Sequence, residues 1–66
     1  MNLVTLKDLN FYSTFLKDSV KKKLESIDKN VSDEIIDSAI KEELSNKMKD
    51  ERRFKKELES LYANIN

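Results

Sequence analysis

The amino-acid sequence predicts a mainly α chain folded as one small unit. Three observations carry that expectation. Gly and Pro are both absent from all 66 residues, so the residues that most often break helices are missing. Apolar residues recur three or four apart through most of the chain, the spacing of one helix face. Thr5 and Ser32 each stand just before such a run, with acidic residues following, as helix starts require.

Composition narrows the function. There is no Cys, which removes disulfides, thiolate metal sites and Cys nucleophiles. There is no His either, so the commonest general base and metal ligand is lacking. Without Gly, neither a phosphate-cradling loop nor a dinucleotide fingerprint can form. The expectation is a non-enzymatic protein with no cofactor and no metal site. No apolar run is long enough to cross a membrane and no signal-peptide core is visible, so a cytoplasmic location is expected. Lys and Arg number 13, as do Asp and Glu, and this zero net charge lacks the basic excess usual in dedicated DNA-binding domains. A chain this short is marginal alone and often gains stability from a partner chain. A homodimer is therefore predicted.

The first ten residues read two ways. Val4 and Leu6 alternate with polar neighbours as in a short strand, whereas Thr5 followed by Asp8 matches a capped helix start. Residues 11–16, Phe-Tyr-Ser-Thr-Phe-Leu, are dense in strand formers. The same region also supplies Leu9, Tyr12, Leu16, Val20, Leu24 and Ile27, a helical seam. Asn30 is expected to take a left-handed turn in the absence of Gly. Ser32 then caps a second helix, with Asp33 and Glu34 in its first turn. Its apolar positions are Ile35, Ile36, Ala39, Ile40 and Leu44, leaving Asp37, Lys41 and Glu42 outside. From Lys47 the chain is nearly all charged, with Met48, Phe54, Leu58, Leu61, Tyr62 and Ile65 still near helical spacing. Glu51–Lys55 and Arg53–Glu57 are spaced to pair along an exposed helix.

The order and spacing of residues 11–16, of Val20, Leu24 and Ile27, and of Ile35, Ile36, Ala39, Ile40 and Leu44 resemble the ribbon-helix-helix family of the MetJ/Arc type. The resemblance covers roughly residues 11–45. It implies a dimer in which two strands pair as a ribbon over four helices. The dimer core would be Tyr12, Leu16, Val20, Leu24, Ile27, Ile35, Ile36, Ala39, Ile40 and Leu44. It further implies a DNA-binding repressor or an antitoxin-like regulator. Ser13 and Thr14 would then touch bases of duplex DNA, and Lys17, Lys21, Lys22 and Lys23 would touch phosphates. Residues 1–46 would form the dimerising core. Residues 47–66 would be a charged C-terminal helix or tail that grips a toxin or other protein through Phe54, Leu58, Leu61 and Tyr62. Two features depart from the family pattern. Phe11 and Phe15 would occupy outward ribbon positions that are polar in DNA-binding members. Asp33, Glu34 and Asp37 would sit where such members bind a phosphate.

The alternative keeps residues 6–28 as one long helix. The chain is then an all-α helical hairpin or three-helix bundle, again dimeric, and its function is protein–protein interaction that inhibits or scaffolds a partner. The backbone state of residues 11–16 separates the two readings.

Overall fold

A computed structural model describes residues 3–65. Met1, Asn2 and Asn66, at the outer ends of the two expected segments, lie outside the described residues. Three helices follow one another: α1 Leu6–Ser26, α2 Asp33–Met48 and α3 Glu51–Ile65. None of them is long and apolar enough to cross a membrane.

Helix α1 starts where a capping box fixes it. The Asp8 backbone N–H donates to Thr5 Oγ1 at 3.2 Å, and the Thr5 N–H donates back to Asp8 Oδ2 at 3.1 Å, which satisfies two amide groups with no partner inside the helix. Val4 precedes the cap and is buried beside Leu9 and the core, the positions of a hydrophobic staple. From that start α1 runs unbroken through residues 11–16. The strand expected there is not formed, and no strand occurs among the described residues. The physical reason is part local and part tertiary. A helix launched at Thr5 meets no Gly or Pro, and its seam of Tyr12, Leu16 and Val20 is covered only if the residues stay helical. Strand propensity, worth about 1 kcal/mol across its whole range, is overridden by that burial. The three-helix architecture named as the alternative is the one observed.

The α1–α2 connection requires one positive φ, and Asp28 supplies it at 54°. Asn30 was expected in that role. The helix closes two residues earlier than Asn30 requires, with the Lys29 N–H donating to the Leu24 carbonyl at 2.9 Å. Ser32 caps α2 as anticipated, accepting from the Ile35 N–H at 3.4 Å. Helix α2 returns antiparallel to α1, and Lys17–Asp37 and Lys21–Asp33 pair across them at 3.5 and 3.6 Å.

Helix α3 follows after only Lys49 and Asp50, and Asp50 caps it by accepting from the Arg53 N–H at 3.2 Å. Phe54 and Leu58 are 1% and 0% exposed and join Val4 and Tyr12 in the main core, with Leu9, Phe11, Leu16, Leu44, Met48, Leu61 and Tyr62 packed around them. Of the C-terminal helix or tail expected over residues 47–66, the described part is helical, and Phe54 and Leu58 pack into the core with Val4 and Tyr12; residue 46, where the expected segments meet, lies inside α2.

Candidate interaction groove

The side chains that fasten α3 onto α1 fall in the first half of α1. Tyr12 meets Phe54 edge-on with ring centroids 4.9 Å apart, and Phe11 stacks on Tyr62 at 4.3 Å. One turn before Phe11 and Tyr12 on α1, Asp8 is only 6% exposed. Its Oδ1 accepts from the Tyr62 hydroxyl at 2.8 Å, and its Oδ2 accepts from Lys55 Nζ at 3.1 Å. Phe54 and Tyr62 lie eight residues apart, roughly 12 Å along a helix. Their contacts on α1 nevertheless stay within Asp8 to Tyr12, so α3 crosses α1 obliquely instead of running down its length.

The capping carboxylate of α1 thus also ties the two helices together. The Thr5 backbone N–H, the Tyr62 hydroxyl and the Lys55 ammonium hold the Asp8 carboxyl at about 2, against burial, which pushes it up. The Tyr62 hydroxyl is raised in turn, chiefly because it donates to Asp8. On the α2 side, Lys47 Nζ donates to Glu57 Oε1 at 2.9 Å and lies 4.0 Å from Glu43. That ammonium is the main reason Glu57 is lowered. Burial and the nearby Glu57 carboxylate push the Tyr12 hydroxyl far up, so it stays protonated. Lys55 and Glu57 therefore reach other helices, and the pairs expected along α3 with Glu51 and Arg53 give way to these links. A buried group gains more from such a contact than an exposed pair does.

Beyond Leu16 the picture changes. Leu16, Val20, Ile36, Ala39 and Ile40, with Glu43 at one end, line an open apolar groove of about 220 Å³ between α1 and α2. Ile35, one turn before Ala39, is 63% exposed; elsewhere Ile27, Phe15 and Val31 are exposed, as are Leu3, Leu6 and Ile65 near the two ends of the chain. Only two helices line the groove, and the molecule measures 41 × 26 × 16 Å. A second cleft, about 370 Å³ between α2 and α3, is lined mostly by charged residues including Glu43, Lys47, Asp50, Arg53 and Glu57.

The residues of the expected dimer core differ in burial. Tyr12, Ile36 and Ile40 are buried within the chain, while Leu16, Val20, Leu24 and Leu44 are half-buried. Ala39, in the groove, is exposed, and so are Ile27 and Ile35. The residues expected to grip a partner are buried or half-buried. Phe54 and Leu58 are interior, and Leu61 and Tyr62 are half-buried against them, so in this fold they hold α3 in place instead of presenting a surface. Of the residues expected at DNA, Ser13 is half-buried and Thr14 exposed on α1, not on a ribbon. Lys17 and Lys21 face Asp37 and Asp33, and Lys22 and Lys23 are exposed. Asp8 and Lys55 were not anticipated as partners. They are 47 residues apart in sequence, and no local pattern joins them.

No protein-family model matches the chain, and neither the curated proteins nor the solved structures searched contain a match.

Proposed function

We propose that the chain is a small non-enzymatic interaction module that docks an apolar helical surface into the α1–α2 groove, with a second copy of itself as the partner. One observation carries this reading. Leu16, Val20, Ile36, Ala39 and Ile40 line an open apolar groove between α1 and α2, and Ile35, one turn before Ala39 on α2, is 63% exposed. Exposed apolar surface gathered in one place marks an interaction site more often than scattered single residues do. Two copies meeting at this face would form a four-helix arrangement and complete the layer that each lacks. A helix-lined groove of this kind serves an inhibitor or a scaffold equally well. The reading with a DNA-binding ribbon loses its support because residues 11–16 are helical.

Ala39 is exposed, so Ala39→Glu places a charge in the groove without disturbing the core. Sedimentation equilibrium at tens of micromolar should give a dimer for the natural chain and a monomer for Ala39→Glu, with unchanged helical circular dichroism for both. A natural chain that stays monomeric at these concentrations contradicts the proposal.

A further inference from the structure

The two connections in this chain differ in kind, and the difference bears on what α3 can do. The α1–α2 connection spans several residues and turns through Asp28 at a φ of 54°, a left-handed conformation that no helix continues through. The α2–α3 connection is two residues long. Lys49 has φ −66° and ψ −24°, already right-handed helical. The Lys49 and Asp50 N–H groups donate to the Asn46 and Lys47 carbonyls at 3.3 and 3.2 Å, and the Phe54 N–H donates to the Asp50 carbonyl at 3.0 Å. One helix thus tightens into a turn and the next begins at once. No Gly or Pro stands in the connection, and Met48, Lys49 and Glu51 are good helix formers.

From this we infer that α2 and α3 can straighten into one continuous helix over residues 33–65, roughly 50 Å long, and exchange α3 with a second copy. Straightening lifts Phe54 and Leu58 off Val4 and Tyr12. In an exchanged pair, α3 of one copy covers Val4 and Tyr12 of the other, remaking the Tyr12–Phe54 and Phe11–Tyr62 ring contacts and both hydrogen bonds to Asp8. The closed monomer and the exchanged dimer then share every core contact and differ at the connection, where short hinges favour exchange. The occupant of each vacated α1 surface is fixed by chemistry. The buried Asp8 carboxylate needs an ammonium and a hydroxyl at the spacing of Lys55 and Tyr62, and a second copy carries both. This assembly is distinct from groove-to-groove docking, because its contacts lie at the other end of the molecule.

The test uses the full chain carrying Ala39→Glu, so that docking through the groove does not contribute. In closed chains Asp50 caps α3; a straight helix has no such end to cap. Asp50→Ala removes that advantage, and loss of a cap typically shifts such a balance about fivefold. An exchanged dimer has two connections, so its dissociation constant should fall about 25-fold by sedimentation equilibrium. Glu51→Pro acts oppositely. Pro is accepted at the first position of α3 but breaks a continuous helix, so it should abolish this dimer. To show that α3 is what crosses over, an isotope-filtered nuclear Overhauser contact between Tyr12 and Phe54 is sought in a co-refolded mixture of labelled and unlabelled Asp50→Ala chains. Its absence in an established dimer, or no dimer at concentrations up to millimolar, overturns the proposal.

Discussion

The two ends of the α1–α2 hairpin are built from similar residues and come to opposite results. At the end held by α3, Tyr12, Phe54, Leu58 and Val4 exclude water, and a carboxylate is buried with three donors around it. At the other end Ile36 and Ile40 are buried, but Val20 and Leu24 are only half-buried and Ile27, Ile35 and Ala39 are exposed. What differs is the number of layers. Two helices can cover only the stripe each turns to the other, whereas a third helix covers the flanks as well. Exposure at the loop end therefore reflects topology and not a change in composition.

The comparison breaks most visibly at Phe54. Phe54→Ala should cost about 3–5 kcal/mol in urea unfolding, because it leaves a cavity against Tyr12 that the rigid crossing of α3 cannot close. In a domain this small, that is a large part of the total stability. A loss below about 1 kcal/mol would mean that α3 does not seal this end.

Asp8 gives the next effect. Its carboxyl is held near 2 in the folded chain against 3.8 ordinarily. Because the folded value is depressed, the stabilisation is fully present above about pH 4 and is lost as pH falls toward 2. The size is about 2 kcal/mol, and Asp8→Asn should remove most of this acid dependence while lowering stability at neutral pH. Thermal unfolding of both chains from pH 6 to pH 2 reads it directly. Parallel pH profiles for the two would show that Glu57, also lowered, carries the acid response instead.

Much of this was legible in the sequence, and the gaps have physical causes. Thr5 and Ser32 announced their helices because capping is local chemistry. Ile36 and Ile40 announced their burial because a helix repeats its face every turn. Residues 11–16 were ambiguous because aromatic and β-branched side chains suit a strand and a packed helix equally, and the arbiter, cover from Phe54, lies some 40 residues away. The same distance hid the partners of Asp8 and Lys55. The charged surface of α3 read as either a helix or a tail, since its buried stripe is narrow and rests on Phe54, Leu58 and the half-buried Leu61 and Tyr62. Ile35 and Ala39 looked as interior as Ile36 and Ile40. Helical spacing gives a face, but not how far round that face another helix reaches.

The smallest effect is expected where the molecule is open. Ile35→Ala at a concentration that keeps the chain monomeric should change stability by no more than about 0.5 kcal/mol, although it removes as large an aliphatic side chain as a core truncation would. Urea unfolding of this variant beside Phe54→Ala sets the contrast between the two ends on one scale. A cost above about 2 kcal/mol in the monomer would place Ile35 in a core.

Residue-resolved amide hydrogen exchange on the monomer tests the central claim most directly, because opening free energies differ wherever cover differs. The slowest amides should fall in Leu9–Leu16 and Phe54–Tyr62, where α1 and α3 lock through Asp8, Tyr12 and Phe54. Those of Lys21–Ser26 and the first turns of α2 should exchange at least tenfold faster. Equal protection at both ends of the hairpin, or faster exchange in α3 than at the α1–α2 loop, would contradict it.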